Sequence, residues 1–354
     1  MSFLSPSNLS YIGVDIGSSS IKMVELKKVQ NKVALVSYGF SDKLASIYPD
    51  ANRLDIKAVG SVIESIVRKA NFSQSRNAIS SLPTFTVFSS IINLSSKLSD
   101  KDLDSSIIWE AKKVIPLPLQ DIVLEWQKIA NDVKLSDKTL ATNSAGQKVL
   151  LIGAPKNLIK SYAYTFKSLG FNLVSLETEI LGLIRSLIGS DKSTSMMVQI
   201  GASSTNIFVV AGGVPVLSRS IDIGGLAITK AISKNLQMDL EKAEQFKYDL
   251  SGQSEKGLPK MIIDTMGPVF NEIKYIMEVY GHKDTNDIQK IILTGGSAML
   301  SGLAESIMEL TNINVVVGDP WYRVSYPVEL KPILEQVGPR MAVAIGLAMR
   351  EYDQ

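Results

Sequence analysis

The sequence predicts an α/β protein with two duplicated lobes, because one strand-turn-strand pattern occurs in each half of the chain. The first copy, YIGVDIGSSSIKMVEL, covers residues 11–26, and the second, MMVQIGASSTNIFVV, covers residues 196–210. Both copies place an Ile-Gly-x-Ser-Ser turn between two apolar strands, which is the chemistry of a β-hairpin. The composition, with 45% hydrophobic and 20% charged residues over 354 positions, suits two globular domains.

Hydrophobic periodicity and turn residues predict the other elements. They are a helix over 54–70, strands over 75–82 and 86–94, a helix from an N-cap at Ser99 to about Val114, strands over 122–129 and 149–153, helices from Gly224 and over 240–250 and 261–280, a strand over 290–293 and a helix from Pro339. Asp102 follows the cap at Ser99 by three residues, and the segment IPLP at 115–118 ends that helix because proline cannot continue it. The polar stretches 130–147 and 251–257 are predicted loops.

The charged and reactive residues exclude several classes of function. Lys and Arg total 37 and Asp and Glu total 35, so no net field favours nucleic acid or an anionic membrane. The sequence has no cysteine, which excludes disulfides, thiolate metal sites and thiol nucleophiles. With His282 as the one histidine, a multi-histidine metal site is impossible, and a Ser-His-Asp triad would have to use it. We interpret His282, which follows Gly281 at a predicted helix end, as a favourable contact with the helix dipole.

One uncharged segment, 193–218, is long enough to span a bilayer. Its glycines and hydroxyl residues, together with Gln199, Asn206 and Pro215, suit a buried hairpin better than a membrane helix. The first positively charged side chain is Lys22, so the charged start of a secretory signal is missing. We therefore expect no direct membrane insertion.

The turns of the repeat are candidate phosphate-binding sites. Glycine and small hydroxyl side chains let backbone N–H groups approach a phosphate, and one turn from each lobe would clasp a polyphosphate from two sides. Asp15, at the end of the first strand, is placed to hold hydrated Mg²⁺, and Lys22 is placed to contact phosphate as a point charge. A third turn, TGGS at 294–297, leaves room for a flat ring or a phosphate.

Each of these features also has an ordinary structural explanation. A glycine-serine turn is most often only a hairpin turn, since glycine is the usual residue where φ is positive. Asp15 and Lys22 are side chains of a kind that is usually solvated at the surface. Three such turns at strand ends, two of them duplicated, favour a binding site over a scaffold.

Three segments, DIGSSSIK at 15–22, QIGASSTN at 199–206 and TGGSAMLSG at 294–302, resemble the two phosphate motifs and the adenosine motif of the actin/Hsp70/FtsA superfamily. The segment WEAKKVIPLP at 109–118 resembles the signature of the PilM family of type IV pilus assembly proteins. Three further segments also fit that family: DIGG at 222–225, AEQFK at 243–247 and AIGLAMR at 344–350. The resemblance extends from about residue 11 to 350. It implies an α/β, actin-like (ribonuclease H-like) fold with duplicated lobes 1A and 2A and inserted subdomains 1C and 2B.

The resemblance also implies how the chain divides. The parts are a tail at 1–10, lobe 1A at 11–83 with 155–190 and 330–354, subdomain 1C at 84–154, lobe 2A at 191–227 with 285–329, and subdomain 2B at 228–284. Transferred residue by residue, it implies ATP and Mg²⁺ as cofactors. The implied cofactor-binding residues are Asp15, Gly17, Ser18, Ser19, Lys22, Gly201, Ser203, Ser204, Thr205, Gly224, Gly225, Glu272, Lys274, Gly295, Gly296 and Ser297. Asp15 would hold the metal through water, and Glu179 falls where the superfamily places a residue that orients water for hydrolysis.

One position departs from the superfamily pattern. The second phosphate motif normally opens with Asp, and this chain has Gln199. An amide carries no negative charge to bind hydrated Mg²⁺ and is a poor base. Because backbone donors supply much of the phosphate binding, we expect ATP binding with weak or absent hydrolysis.

Trp109 lies nearly opposite the apolar stripe of its predicted helix. The stripe consists of Leu103, Ile107, Ala111 and Val114. Trp109 would either pack against the neighbouring lobe or form part of a partner-binding surface, where tryptophan is enriched. PilM-like proteins bind a short cytoplasmic peptide of the membrane protein PilN between 1A and 1C, so the resemblance implies a PilN-like partner.

The resemblance implies a cytoplasmic, ATP-binding component of the pilus assembly platform, whose nucleotide state biases its partner contacts. FtsA-like proteins often end in an amphipathic membrane helix, and none follows the predicted C-terminal helix here, so we expect attachment to the inner membrane through the partner. Other platform proteins and self-association are further expected contacts, whereas nucleic acid is not. Two alternatives remain. One is a nucleotide-free scaffold, which Gln199 favours, and the other is a small-molecule kinase of the same superfamily, for which the middle subdomain offers no convincing general base.

Overall fold

The computed structural model describes residues 9–42, 47–48, 53–95, 100–130, 146–250, 257–280 and 288–353. The chain forms two compact units. Unit 1 consists of Met1–Pro83, Asn157–Gly189 and Asp319–Gln354, and unit 2 consists of Thr84–Lys156 and Ser190–Gly318. Each unit has its own sheet and its own core.

The regular elements are numbered in chain order. The strands are β1 (Ser10–Ile16), β2 (Ile21–Val29), β3 (Lys32–Ser41), β4 (Asn77–Leu82), β5 (Phe88–Ser95), β6 (Ile122–Lys128), β7 (Gly146–Pro155), β8 (Asn172–Thr178), β9 (Ser195–Ile200), β10 (Thr205–Ala211), β11 (Val214–Ile221), β12 (Lys290–Thr294), β13 (Val315–Val317) and β14 (Val324–Ser325). The α-helices are α1 (Ile56–Lys69), α2 (Asp100–Val114), α3 (Lys156–Ser168), α4 (Glu179–Leu183), α5 (Gly225–Leu236), α6 (Leu240–Leu250), α7 (Lys260–Tyr280), α8 (Leu303–Thr311) and α9 (Lys331–Met349).

Unit 1 contains a six-stranded sheet in the order β14-β3-β2-β1-β4-β8. β1 pairs antiparallel with β2 and parallel with β4, so the first hairpin lies in the middle of the sheet. α9 packs against β1 at very short range, since a Cβ added to Gly13 would lie 1.9 Å from the carbonyl oxygen of Ala344. Trp321 is buried in the same core and donates from Nε1 to the carbonyl oxygen of Leu334 at 2.9 Å.

Unit 2 contains a five-stranded sheet, β11-β10-β9-β12-β13, that repeats the strand arrangement of unit 1. β9 pairs antiparallel with β10 and parallel with β12, just as β1 pairs with β2 and β4. Met196, Val198 and Ile200 lie on one face of β9 and pack with buried residues of α5 and α7. The predicted duplication is therefore confirmed, and the uncharged segment 193–218 forms a β-hairpin and the strand beside it.

A smaller three-stranded sheet, β5-β7-β6, completes unit 2. On β7, Val149 and Leu151 share a core with α2, while Leu150 between them joins the core of the five-stranded sheet, as the alternation of a strand requires. Of the predicted stripe on α2, the first three residues are buried, but Val114 is 36% exposed and Ile115 takes its place in the core.

The prediction that the last helix begins at Pro339 was wrong, because α9 begins at Lys331. Pro339 removes a helical hydrogen bond to the carbonyl of Glu335, and that residue is exposed, so its carbonyl can bond to water. Leu334 and Val337 hold the first turns of α9 because both are buried in the core of unit 1.

Other predicted elements agree with the structure to within two or three residues at most boundaries. The cap at Ser99, most of the loops 130–147 and 251–257, and the contact of His282 lie outside the described residues. Within the described ranges, no helix combines the length and the apolar character needed to cross a bilayer.

Candidate functional site

The turn between β1 and β2 is closed by one backbone hydrogen bond. The N–H of Gly17 donates to the carbonyl oxygen of Ser20 at 2.9 Å, and the carbonyl oxygen of Ser18 accepts from the N–H of Ile47 at 3.5 Å. Gly17, Ser18 and Ser19 are all partly exposed, so the predicted phosphate-binding groups are accessible from solvent.

Asp15 and Lys22 flank this turn and contact each other. They are register partners on β1 and β2, and Asp15 Oδ2 lies 3.2 Å from Lys22 Nζ. Asp15 is only 3% exposed, and its second oxygen, Oδ1, is buried without a hydrogen-bond partner in the described part of the chain. A buried carboxylate oxygen without a donor is costly unless something else binds it. Asp15 therefore fits the hydrated cation that the motif implies.

A cation here would depend on Asp15 and on the oxygens of a ligand. The described residues contain no group of three or more acidic or histidine side chains that could hold a metal. Mg²⁺ is commonly bound in this way, by one or two carboxylates, by phosphate oxygens and by water. The donor set thus suits Mg²⁺ brought in with a polyphosphate.

Two tyrosines support the same turn, and sequence reasoning did not find them. The Tyr48 hydroxyl donates to the carbonyl oxygen of Ile16 at 2.7 Å and lies 2.5 Å from the Tyr162 hydroxyl. Because the single proton of Tyr48 is used toward Ile16, Tyr162 donates to Tyr48. Burial raises the pKa of both hydroxyls well above its ordinary value, and the charges of Asp15 and Glu179 raise it further.

Glu179 lies in the same region of unit 1. It is the first residue of α4 and is 6% exposed, and a carboxylate in the first turn of a helix is stabilised by the helix dipole. Its charge, like that of Asp15, acts on both Tyr48 and Tyr162. The structure thus brings Glu179 into the neighbourhood of the first phosphate turn, and its role in orienting water stays a prediction.

The turn between β9 and β10 in unit 2 has the same closure. The N–H of Gly201 donates to the carbonyl oxygen of Ser204 at 2.9 Å. Behind the turn, the start of α5 binds it directly: the N–H groups of Gly225 and Leu226 donate to the carbonyl oxygens of Gly201 and Ala202, each at 2.9 Å. These two helix donors are therefore used to brace the turn.

Two glycines let the backbones meet at this place. A Cβ on Gly224 would lie 2.6 Å from the carbonyl oxygen of Gly201, and a Cβ on Gly295 would lie 2.3 Å from that of Ile200. Gly295 also has a φ of 93°, which other residues rarely adopt. Ser297 Oγ is 2.8 Å from the Cβ position of Gly225. Three predicted segments, 201–205, 224–225 and 295–297, are thus brought together within unit 2.

A buried lysine adds a positive charge that the sequence did not assign to the site. Lys247 is 8% exposed, and its Nζ donates to the Gly225 carbonyl oxygen at 3.2 Å, to Thr229 Oγ1 at 2.9 Å and to Glu244 Oε2 at 2.7 Å. Lys247 and Glu244 belong to the AEQFK segment, which the resemblance marked without naming a role. That segment was the available signal for this contact.

Glu272 and Lys274, the predicted pair on α7, take no part in the contacts described above between the glycine turns and α6. Glu272 Oε1 on α7 lies 3.5 Å from Nε of Arg219 on β11, and Lys274 is exposed. Gly296 is exposed on the turn that follows β12. In the described contacts, Lys247 on α6 binds Gly225 beside the glycine turn, whereas Glu272 on α7 binds Arg219.

Gln199, the residue that departs from the motif, takes part in a ladder of neutral side chains. Asn206 Nδ2 donates to Gln199 Oε1 at 3.1 Å, and Ser220 Oγ donates to Asn206 Oδ1 at 2.8 Å. The three residues are cross-strand neighbours on β9, β10 and β11. Gln199 is partly exposed beside the turn that begins at Gly201.

Trp109 is 63% exposed on α2, with Lys113 Nζ 5.6 Å from the centre of its ring. Ile108 and Leu117 nearby in sequence are 47% and 49% exposed. Exposed aromatic and aliphatic side chains commonly bind another protein. Trp109 lies outside the face of α2 that packs in the core.

Similarity to known proteins extends over nearly the whole chain. Residues 13–352 match the family described as type IV pilus assembly protein PilM. The chain belongs to the PilM family. A relative, the cell division protein FtsA of Neisseria meningitidis serogroup B, is 24% identical over an alignment of 289 residues that covers 71% of this chain and 66% of that protein. The chain thus spans just under two thirds of the Neisseria protein.

Solved structures with a similar fold identify the fold class of this chain. A PilM-PilN type IV pilus biogenesis complex has a TM-score of 0.80 at 21% identity, with 98% of this chain and 99% of that chain covered. MreB5 of Spiroplasma citri bound to AMPPNP has a TM-score of 0.54 at 10% identity, with 98% and 97% covered. The fold is therefore actin-like, as the motifs implied.

Proposed function

We propose that this PilM family protein is a cytoplasmic, ATP-binding component of the type IV pilus assembly platform. In this proposal it docks the cytoplasmic tail of a PilN-like inner-membrane protein, and its nucleotide state biases that contact. The observation that carries the nucleotide part is the repeated glycine turn, closed by the same 2.9 Å hydrogen bond in both units. A duplicated turn of this kind suits a ligand with several phosphates.

The proposed roles of the residues follow from the contacts in each unit. In unit 1, Gly17 to Ser19 offer backbone and hydroxyl donors, Lys22 offers a positive charge, and Asp15 would hold Mg²⁺ through water. In unit 2, the second turn contains Gly201, Ser203, Ser204 and Thr205. The start of α5 at Gly225 braces it, Gly224 permits the close approach, and Gly295 to Ser297 would line it. A bound Mg²⁺ would neutralise phosphate charge in the complex.

Hydrolysis is proposed to be weak or absent. Gln199 supplies no carboxylate, so Asp15 would be the metal-binding side chain at the two motifs. Glu179 remains a candidate for orienting water, because it is buried and its charge, like that of Asp15, acts on the tyrosine pair that supports the Gly17 turn. A phosphate-release assay on the protein with Mg·ATP should give a rate at or near background.

The proposed partner site is the exposed surface around Trp109. One solved structure with the same fold is a complex of PilM with PilN, which supports a PilN-like tail as the partner. An exposed tryptophan is typical of the residues that dominate binding energy in an interface. Other platform proteins and self-association are further proposed contacts, and membrane association would come through the partner.

The experiment that tests this function measures two affinities on the same preparations. Calorimetry should detect ATP binding, and an immobilised PilN-like cytoplasmic tail should capture the protein. Trp109→Ala should weaken capture about tenfold or more while ATP affinity stays within twofold. The control is Tyr275→Ala, which removes a ring that is 51% exposed on α7 and should leave both affinities unchanged. Unchanged capture by Trp109→Ala with a lower melting temperature would instead assign Trp109 to packing.

Failure of the nucleotide arm has a defined meaning. If the protein binds no ATP and is purified without nucleotide, it is an actin-fold scaffold. Transfer of phosphate to a sugar or a small acid would instead identify a kinase. In localisation experiments, the protein should pellet with membranes only when a PilN-like protein is co-expressed, and pelleting with lipid alone contradicts the proposed attachment.

A further inference from the structure

We propose that Gln199 donates a hydrogen bond directly to a phosphate of the bound nucleotide, so that unit 2 binds phosphate without a metal ion. This inference rests on the proposed nucleotide binding and specifies its chemistry in one unit. It concerns the position where the superfamily motif has Asp.

The ladder fixes the position of the Gln199 amide. Gln199 is flanked on β9 by Asn206 of β10 and by Thr294 of β12, the residue that precedes the Gly295 turn. Its neighbours Val198 and Ile200 point into the hydrophobic core, so Gln199 points to the opposite face of the sheet. The amide is therefore held at the end of the sheet where β9 and β12 finish and the turns at 201–204 and 295–297 begin.

The direction of the ladder decides which end of the amide is available. Ser220 donates to Asn206, and Asn206 donates to the Oε1 atom of Gln199. The amide oxygen is thus the atom bound to Asn206, and the NH₂ group of Gln199 is the end directed away from it. A phosphate beside this group selects the same direction, because its negative oxygens attract N–H donors and repel a carbonyl oxygen.

A buried ion pair lies next to the turn of unit 2. Its ammonium group, Lys247, binds the carbonyl of Gly225. The carboxylate that accompanies it, Glu244, is bound to Lys247 and to Thr229. The ammonium group thus supports the turn while Glu244 balances its charge, and the donor that we assign to a phosphate oxygen is the NH₂ group of Gln199.

The decisive test compares ATP affinity with Mg²⁺ and with EDTA. Gln199→Ala should lower ATP affinity about tenfold in both buffers, since a hydrogen bond to a charged oxygen does not need the metal. Gln199→Met keeps the length of the side chain without its donor and should give the same loss. Asn206→Ala, which frees the amide to rotate, should lose about threefold in both buffers.

Two controls separate a metal role from a phosphate role. Asp15→Asn should lose affinity mainly with Mg²⁺, because that carboxylate is the proposed metal contact in unit 1. Gln245→Ala removes an exposed amide on α6 and should change nothing. Urea unfolding of each variant, followed by circular dichroism, establishes that the compared proteins are folded.

Each outcome is decisive. If the Gln199 variants lose affinity only with Mg²⁺, Gln199 acts through the metal and the inference is wrong. If the Gln199 variants bind ATP in both buffers with the same affinity as the unmodified protein, Gln199 does not contact phosphate. The proposed function then stands without this contact. If the unmodified protein binds ATP in neither buffer, the nucleotide part of the proposed function fails and this inference fails with it.

Discussion

The turn at Gly17 in unit 1 and the turn at Gly201 in unit 2 share a backbone and differ in charge. Each joins two antiparallel strands through four residues, and each is closed by the same N–H to carbonyl contact. The residue two places before the glycine and the one five places after it are cross-strand partners in both. In unit 1 they are the ion pair Asp15 and Lys22, and in unit 2 the neutral pair Gln199 and Asn206.

The two turns are also supported by different means. In unit 1, buried side chains hold the turn: Tyr48 binds the carbonyl of Ile16, and Tyr162 binds Tyr48. In unit 2, the backbone of α5 holds it, and glycine at position 224 permits the approach. The duplication has thus kept the backbone of the turn, while the charges of the side chains beside it have diverged.

The largest expected effect comes from filling the backbone contact of unit 2. Gly224→Ala should lower the free energy of unfolding by about 2–3 kcal/mol, because the new Cβ would meet two carbonyl groups of the turn at under 3 Å. The matched change in unit 1, Gly17→Ala, should cost about 1 kcal/mol or less, since its Cβ would lie 3.3 Å from the movable Lys22 Nζ and from the Ser20 oxygen. Urea midpoints at constant m-value measure both. Equal losses would show that the two turns are braced alike.

Adding a carboxylate to unit 2 should make its turn resemble that of unit 1. Gln199→Asp should raise ATP affinity with Mg²⁺ about tenfold, because a second carboxylate can hold the hydrated cation, and it should lower affinity in EDTA through repulsion. Calorimetry in the two buffers measures both shifts, and a phosphate-release assay follows any gain in turnover. A gain in EDTA would contradict the assignment of charge.

The tyrosine pair of unit 1 should show unequal contributions. Tyr48→Phe should lower the free energy of unfolding by about 2 kcal/mol, since it leaves both the Ile16 carbonyl and the Tyr162 hydroxyl without their bond. Tyr162→Phe should cost about 1 kcal/mol, because Tyr48 keeps its bond to Ile16. Thermal or urea unfolding distinguishes the two variants. The reverse order would mean that the hydroxyl contacts run in the opposite direction.

The smallest expected effect lies at the far end of the unit 2 sheet. The hydrogen bond from Lys290 lowers the pKa of Asp191 from 3.8 to about 2, with the backbone N–H of Ser193 assisting. Because the folded pKa is depressed, this pair stabilises the protein above pH 3.8 and the stabilisation is lost as pH falls toward 2. Lys290→Met should raise the Asp191 pKa in an NMR titration, and stability at neutral pH should fall by less than about 1 kcal/mol, because both side chains are partly exposed. An unchanged pKa would assign the shift to Ser193.

The duplicated lobes could be predicted because each copy of the repeat is one short, continuous segment of the sequence. A glycine and its serines between two apolar strands fix the turn, and the same register then follows in both units. The start of α9 could not be predicted in this way. Pro339 is a local signal for a helix start, but the burial of Leu334 and Val337 extends the helix back to Lys331.

The candidate site was predicted where it depends on short motifs and missed where it depends on distant contacts. Asp15 and Lys22 are found from their spacing, but Tyr48 and Tyr162 meet across 114 residues and no local pattern marks them. Lys247 lies in the AEQFK segment at 243–247, yet its approach to Gly225 depends on the packing of α5 against α6. The ladder of Gln199, Asn206 and Ser220 could not be predicted, because it depends on the register of three strands.

The close packing of α9 on β1 has a consequence for synthesis. Unit 1 combines the first strands of the chain with Asp319–Gln354, whereas unit 2 is complete at Gly318. During translation, unit 2 can therefore bury its core while the sheet of unit 1 still lacks the helix that covers Gly13. The first hairpin, which is synthesised early, stays without this cover until α9 has emerged from the ribosome. It is the segment on which a chaperone would act.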